Sequence, residues 1–193
     1  QGGPRAFELF FFGTSYAPAG KGVASTTALA ERHQIQALVH EKPQRVGYID
    51  SLRIMLEADL TLLLGSDDPA YSPSKVYPTL LAGKPTIAVA PANSVLERKV
   101  AELGGAHLTT FTTDAASHAA AIQSLANRLR EFARNPGPLG PARRLDLLER
   151  EYSAAAIARG QLTIFNRLIS GSKHTPTPVR LDQYWPELPP GEP

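Results

Sequence analysis

Short apolar runs alternate along this chain with longer segments in which apolar residues recur at helical spacing. The runs predict strands at residues 7–12, 36–40, 60–64, 86–90 and 107–111. The helical spacing predicts helices at 24–32, 48–58, 75–82, 95–103 and 114–134, and a last helical region from about 142 to 169 with a weak point at Gly160. This alternation predicts an α/β fold: a three-layer Rossmann-like domain with a parallel sheet and helices on both faces.

The same pattern predicts which side chains are covered. Residues 60–64 form a continuous apolar run, which is typical of a strand that is covered on both faces, and residues 7–12 predict a second buried strand. Asp50 or Ser51 is placed to cap the helix at 48–58. In the helix at 114–134 one apolar stripe is expected to face the core, and it consists of Ile122, Leu125, Ala126, Leu129, Phe132 and Ala133.

The length of 193 residues fits one domain followed by a tail. We expect a Rossmann-like domain at 1–170 and a Pro-rich tail, extended or disordered, at 171–193. The chain starts at Gln1 without an initiator methionine and enters a strand almost at once. We therefore expect a preceding N-terminal domain of the same protein, with tag removal from a complete small protein as the alternative.

Charge and cysteine content argue against several classes of protein. The net charge is +2 and the basic residues are scattered, whereas a duplex-binding protein usually concentrates them on one face, so we expect no nucleic acid. The absence of cysteine leaves no disulfide framework and no thiolate metal site, which suits a cytoplasmic protein. The longest apolar stretch is far shorter than the ~20 residues that cross a bilayer. The histidines show no metal-ligand spacing.

The loop from Gly65 to Lys75 carries the most informative chemistry. It follows an apolar strand and opens a helix, with Ser74 at the expected N-cap and Lys75 in the first turn. Free backbone N–H groups and the helix dipole favour an anion at such a position. Lys75 adds a positive charge, and Ser72 and Ser74 add hydroxyl donors. The loop therefore predicts a diphosphate site; the simpler alternative is that Ser74 only caps and Lys75 is only solvated.

A second loop, residues 13–22, follows the first strand and contains three glycines and Lys21. Glycine lets backbone amides approach a phosphate closely, although a flexible surface loop is an equal alternative. The segment is neither the GxGxxG fingerprint nor the Walker pattern, because Gly22 stands where a Ser or Thr should follow Lys21. In the other loop, Asp67 and Asp68 could bind sugar hydroxyls or a divalent ion, but adjacent carboxylates more often form a solvated turn, so we expect no metal.

Several segments together resemble the C-terminal domain of group 1, family 4-like glycosyltransferases. They are residues 45–50 (Arg-Val-Gly-Tyr-Ile-Asp), Glu57-Ala58-Asp59 before an apolar strand, residues 72–77 (Ser-Pro-Ser-Lys-Val-Tyr) and residues 80–85 (Leu-Leu-Ala-Gly-Lys-Pro). The similarity covers roughly residues 7–169, and its most specific part is 72–85.

The resemblance implies a domain that binds a nucleotide-diphosphate sugar as donor substrate, without metal or other cofactor, and usually with retention of anomeric configuration. The N-terminal domain of the same protein would supply most of the acceptor site, and any peripheral membrane contact would be made through it. Carried over by position, Lys21 and Lys75 would offset the diphosphate charge as the nucleotide leaves. Gly47 and Tyr48 would lie near the base. Together with the residues singled out above, the candidate donor-binding set is Gly13, Thr14, Gly47, Tyr48, Asp67, Asp68, Ser72, Ser74 and Lys75.

The chain departs from the family's pattern at two places. Thr14 stands where the first loop usually has an arginine, and Ala70 and Pro78 stand where the family has paired glutamates, of which the second binds the ribose. Either Asp67 or Asp68 substitutes, or the donor is held differently, or donor binding is lost.

Two other functions remain open. One is a sugar-nucleotide epimerase of the same architecture, in which Glu97 would have to reach inward as acid or base. The other is a non-catalytic domain that kept the fold and lost the site.

Overall fold

The computed structural model describes residues 7–15, 23–66, 68, 71 and 73–170. These residues form two compact units, divided between Arg144 and Leu145. The domain boundary predicted after residue 170 stays a prediction, because residues 171–193 lie outside the described part. The strands are β1 (Leu9–Phe12), β2 (Val39–Lys42), β3 (Thr61–Leu64), β4 (Thr86–Pro91) and β5 (His107–Phe111). The helices are α1 (Thr26–Arg32), α2 (Tyr48–Glu57), α3 (Val76–Leu81), α4 (Val95–Leu103), α5 (Ala115–Arg134), α6 (Leu145–Tyr152) and α7 (Ala154–Ser170).

The first unit has the predicted α/β fold with parallel strands, a Rossmann-like arrangement. β1 pairs with β2, from Leu9 opposite Val39 to Phe12 opposite Lys42. β4 pairs in parallel with β3 on one side and β5 on the other. The strands therefore form a two-stranded and a three-stranded sheet, where the sequence pattern predicted one. No ladder joins β1 to β3 within the described ranges, so each of these strands ends its sheet on that side.

The predicted strand at 36–40 is partly wrong, because residues Gln36–Leu38 form a 3-10 helix and β2 begins at Val39. Gln34, just before it, has a positive φ of 57°. Because of this tight turn after α1, β2 begins three residues later than the predicted strand.

The prediction that β3 is covered on both faces is also wrong. Thr61 and Leu63 are buried, but Leu62 and Leu64 are 36% and 57% exposed. Successive side chains point to opposite faces of a strand, so Thr61 and Leu63 lie on the packed face of β3 and Leu62 and Leu64 on the less covered one. The covered strand is β4, in which Thr86, Ile87, Ala88 and Ala90 are all fully buried.

The core of the first unit is built on β4 and α5. Ile87, Phe132 and Leu139 form a buried cluster, with partly buried apolar side chains from β-sheet and helix packed against it. The predicted stripe of α5 is correct at Phe132 but wrong at Ile122, which is 68% exposed, while its neighbour Ala121 is buried. Leu125 and Leu129 of the stripe pack against the cluster that contains Phe132, so the predicted face is correct along most of α5 and wrong near its start.

The second unit contains α6 and α7, which pack on each other. The helical region breaks at Ser153, whose hydroxyl accepts a hydrogen bond from the Ala156 N–H at 3.1 Å and so caps α7. The weak point predicted at Gly160 is wrong, because Gly160 lies inside α7. Among the helices that the structure describes, none combines the length and apolar character needed to cross a membrane.

Candidate functional site

A cavity of about 2010 Å³ lies in the first unit and is lined by both β1 and β3. We call it the inter-sheet cavity. α2 and the segment leading into α3 supply further lining, and the exposed face of β3 with Leu62 and Leu64 belongs to the same surface. Its walls are mainly apolar, with a few charged and hydroxyl side chains, and its volume exceeds the ~300–1,000 Å³ of a typical small-molecule site, so a ligand would fill only part of it.

The cavity gathers residues from three of the predicted site segments. Gly13 and Thr14 line it after β1, Tyr48 lines it from the start of α2, and Ser74 and Lys75 line it before α3. These positions lie up to about sixty residues apart in sequence, and the fold brings them to one surface.

Two of the other predicted residues do not line the cavity. Gly47 and Asp68 are described and exposed, and neither lines the inter-sheet cavity. Asp68 instead closes a local turn in which the Tyr71 N–H donates to its carbonyl at 3.0 Å. Lys21, Asp67 and Ser72 lie outside the described residues.

The end of β1 is held rigidly against β2. Gly13 has a φ of 67°, which favours glycine, and its N–H donates to the Lys42 carbonyl at 3.0 Å. The Ser15 N–H donates to the Pro43 carbonyl at 3.2 Å, so the chain stays paired beyond the strand. Thr14, between these two bonds, faces the cavity.

Glu41 on β2 binds the same loop end and the start of α1. Its Oε1 accepts a hydrogen bond from the Thr14 hydroxyl at 2.6 Å and one from the Ser25 N–H at 3.0 Å. Its Oε2 accepts from the Thr27 N–H at 2.8 Å and from the Thr27 hydroxyl at 3.0 Å. Partial burial works to raise the pKa of Glu41, but these bonds, led by that from Thr14, outweigh it and hold the pKa far below its usual range.

Sequence reasoning missed Glu41 because its partners are 14 to 27 residues away. The local signal was alternation along β2, which places Glu41 on the same half-buried side as Val39. α1 begins without a side-chain cap of its own, so the Glu41 carboxylate satisfies its first N–H groups. The Ser25 and Thr27 N–H groups are therefore already used and are not available to a phosphate.

The start of α2 corrects the predicted capping. Gly47 is the N-cap and no side chain caps the helix. Ser51 lies inside the first turn, where its hydroxyl donates to the Tyr48 carbonyl at 2.6 Å, and Asp50 forms only a loose ion pair with Arg53 at 3.8 Å. The Tyr48 side chain, 72% exposed, remains open to a ligand at the cavity.

The start of α3 also differs from the prediction. Lys75 is the N-cap in helical conformation, no side chain caps the helix, and Ser74 precedes it in a turn. The reason is that the Val76 N–H donates to the Pro73 carbonyl at 3.2 Å, which closes the turn without the Ser74 hydroxyl. Both Ser74 and Lys75 are exposed and line the cavity.

The loop that carries Lys75 leaves the sheet at a tightly packed point. The Gly65 N–H donates to the Val89 carbonyl at 2.7 Å, and a Cβ on Gly65 would lie 2.8 Å from Pro91 Cδ. α3 is then set against α2 by the Thr79 hydroxyl, which contacts Met55 Sδ at 3.6 Å. These contacts fix the sheet end of the loop and set α3, which Lys75 precedes, against the middle of α2.

Cations lie towards both ends of the cavity. Lys75 lies beyond the carboxyl end of β3, whereas Lys84 lies before β4, where the Thr61 N–H pairs with the Pro85 carbonyl. Arg143 lies on the side of Lys84, with its guanidinium against Gly83 and Gly105. Lys75 belongs to a predicted ligand loop and Lys84 does not, which makes Lys84 a natural comparison.

Glu97 does not line the cavity. Its carboxylate accepts a hydrogen bond from the Asn93 N–H, and its own N–H donates to the Ser94 hydroxyl at 3.2 Å. Ser94 thus caps α4, and the Glu97 carboxylate bonds the residue before the cap, which resembles a capping box shifted by one residue. An epimerase of this architecture would need Glu97 to reach into the site as acid or base, and Glu97 does not do so.

No group of three or more acidic or histidine side chains that could hold a metal ion occurs within the described ranges. Comparison with known proteins adds no identification: no family model matches the chain, and no curated protein and no solved structure matches it.

Proposed function

We propose that this chain is the donor-binding domain of a glycosyltransferase and holds a nucleotide-diphosphate sugar at the Lys75 end of the inter-sheet cavity. The observation that carries the proposal is that Thr14, Tyr48, Ser74 and Lys75, from three separate segments, all line the inter-sheet cavity. Ligands of open α/β sheets commonly bind beyond the carboxyl ends of the strands, and Thr14 and Lys75 both follow such ends.

Each of these side chains suits one part of such a ligand. Lys75 supplies a positive charge for the diphosphate, and the Ser74 hydroxyl can donate to a phosphate oxygen. The exposed ring of Tyr48 offers a flat apolar surface against which a base can stack. The Thr14 hydroxyl already donates its proton to Glu41, so towards a ligand it can only accept, which fits a ribose or sugar hydroxyl.

The same set supports glycosyl transfer. As the bond from the anomeric carbon to the diphosphate oxygen breaks and a bond to an acceptor oxygen forms, negative charge develops on the departing nucleotide diphosphate. Lys75 would stabilise that charge, which is electrostatic catalysis of leaving-group departure. In this proposal a second domain of the same protein brings the acceptor, and the reaction takes place in the cytoplasm.

Titration calorimetry of the 193-residue chain with UDP, GDP, ADP and their hexose conjugates tests the proposal. We expect one nucleotide series to bind with Kd between about 1 μM and 1 mM, the range common for enzyme substrates. Lys75→Ala should weaken binding about 10- to 100-fold, because it removes a charge-assisted contact of ~1.5–3 kcal/mol. Added salt should weaken wild-type binding as well.

Lys84→Ala is the matched control, since it removes a lysine from the other end of the same cavity. Its Kd should stay within about twofold of wild type, because the two lysines lie at opposite ends of the β3–β4 pair. Silence with all the nucleotides overturns the proposed function. Equal losses in the two variants would overturn the placement of the diphosphate at Lys75.

A non-catalytic domain is the competing function, and Pro78 favours it. Pro78 lines the cavity at the position where the resemblance implies the ribose-binding glutamate, and it offers no carboxylate. If the chain binds a nucleotide diphosphate but gains no affinity from the attached hexose, a binding role without glycosyl transfer becomes the better description.

A further inference from the structure

We propose that Glu41 is a positioning residue for the nucleotide sugar, which it serves through Thr14 from behind the wall of the inter-sheet cavity. The inference rests on the proposed function and extends it to a residue that the family resemblance does not supply. Glu41 itself does not line the cavity, whereas Thr14, which donates to it, does.

The Glu41 carboxylate accepts hydrogen bonds from several donors. Four hydrogen bonds converge on Glu41, two from hydroxyls and two from backbone N–H groups. They come from both ends of the segment between β1 and α1: Thr14 near its beginning, and Ser25 and Thr27 at the start of α1. One side chain of β2 thus joins the end of β1 to the start of α1.

The hydrogen bond to Glu41 fixes the direction of the Thr14 O–H group. Its only proton points at Glu41 Oε1 over 2.6 Å, and a bond to an ionised acceptor is stronger than one to a neutral group. The remaining lone pairs are therefore the part of this hydroxyl that can meet a ligand. Glu41 in this way makes Thr14 an acceptor for a sugar or ribose hydroxyl and disfavours a phosphate at that position.

Backbone N–H groups at the start of α1 also donate to Glu41. Ser25 and Thr27 N–H groups would otherwise attract a ligand anion, and the carboxylate already satisfies them. Glu41 therefore leaves Lys75 as the cationic position for the diphosphate among the described residues that line this end of the cavity. The two halves of the ligand are sorted: hydroxyls towards Thr14, phosphates towards Lys75.

Glu41→Ala tests the inference, with the nucleotide sugar that binds wild type best as the probe. We expect the Kd to rise about tenfold, because the ligand must then order the loop end and the Thr14 rotamer itself. Sodium formate should restore much of the affinity by refilling the vacated carboxylate position, and the same concentration of sodium chloride should not. Amide hydrogen exchange should show lost protection at residues 13–15 and 25–27, with β4 and β5 unchanged.

Thr27→Val is the second variant, for the case in which Glu41→Ala does not fold. It keeps the carboxylate and removes only one of its hydroxyl donors, and we expect a rise in Kd of about two- to fivefold, while Thr27→Ser should match wild type. If wild type binds and Glu41→Ala binds equally well or more tightly, the positioning role is overturned and the proposed function stands. If wild type binds none of the nucleotides, both fall.

Discussion

At the scale of single residues, the candidate site depends on partners that are distant in sequence. The loop with Ser74 and Lys75 could be recognised from local residue types, and the structure places both on the cavity wall. Glu41 could not be recognised in that way, because the residues that bind it are contributed by a loop and a helix on the other side of β1. Local patterns predict which side chains are capable of chemistry, and the fold decides which of them meet.

The hydrogen bonds on Glu41 also predict a pH dependence of stability. The folded state holds the pKa of Glu41 below the ordinary value of 4.5, so ionised Glu41 favours folding. This contribution is complete above pH 4.5 and is lost as the pH falls below that value towards the lowered folded pKa. For wild type, we expect the urea concentration at the unfolding midpoint to decrease as the pH is lowered from 4.5. For Glu41→Gln, we expect a lower midpoint at neutral pH and a smaller change of the midpoint with pH in the acid range.

Glu31→Gln is the control for this measurement, since Glu31 is an exposed carboxylate on the same helix α1. Its profile should follow that of wild type. A Glu41→Gln profile parallel to wild type between pH 3 and 7 would show that the carboxylate contributes nothing as an anion.

At the scale of elements, the sequence predicts strand and helix order better than it predicts what covers them. Periodicity depends on residues a few positions apart, and so it places α4 and β5 at their observed bounds. Burial of β3 depends on whether an element that is distant in sequence packs against each of its faces. The apolar run at 60–64 is equally compatible with a central strand and with a strand that ends its sheet. The sequence pattern did not predict the break between α6 and α7 at Ser153. A single serine that can cap a helix is a weaker indication than apolar residues that continue at helical spacing on both sides of it.

The exposed face of β3 leads to a pair of matched substitutions. Leu63 is 5% exposed and Leu64 is 57% exposed. Leu63→Ala should lower the free energy of unfolding by about 2–5 kcal/mol through lost burial and a cavity, whereas Leu64→Ala should cost under ~1 kcal/mol. Urea denaturation of both variants measures the difference. Equal, large losses would mean that β3 is covered on both faces, as its sequence predicts.

At the scale of the first unit as a whole, the two sheets differ in how well they are buried. β4 and its partners form the core with α5, while β1 and β2 expose Phe10, and β2 is only half-buried along one side. No ladder crosses from β1 to β3 in the described part of the chain. The proposed ligand would contact both halves, through Thr14 on one side and Lys75 on the other. Binding and the stability of the β1–β2 half are therefore expected to be coupled.

Native-state hydrogen exchange at rising urea concentration tests this coupling. Regions with few buried contacts open locally, at a lower free energy than the global transition. Amides of β1 and β2 should therefore lose protection at lower urea than amides of β4, which has a ladder on both sides. A saturating nucleotide sugar binds only the assembled wall, so it should raise protection of β1 and β2 by about RT ln(1 + [L]/Kd). The same ligand added to Lys75→Ala should not. If β1, β2 and β4 lose protection at the same urea concentration, the first unit opens as one cooperative body, and the ligand cannot act on the β1–β2 half alone.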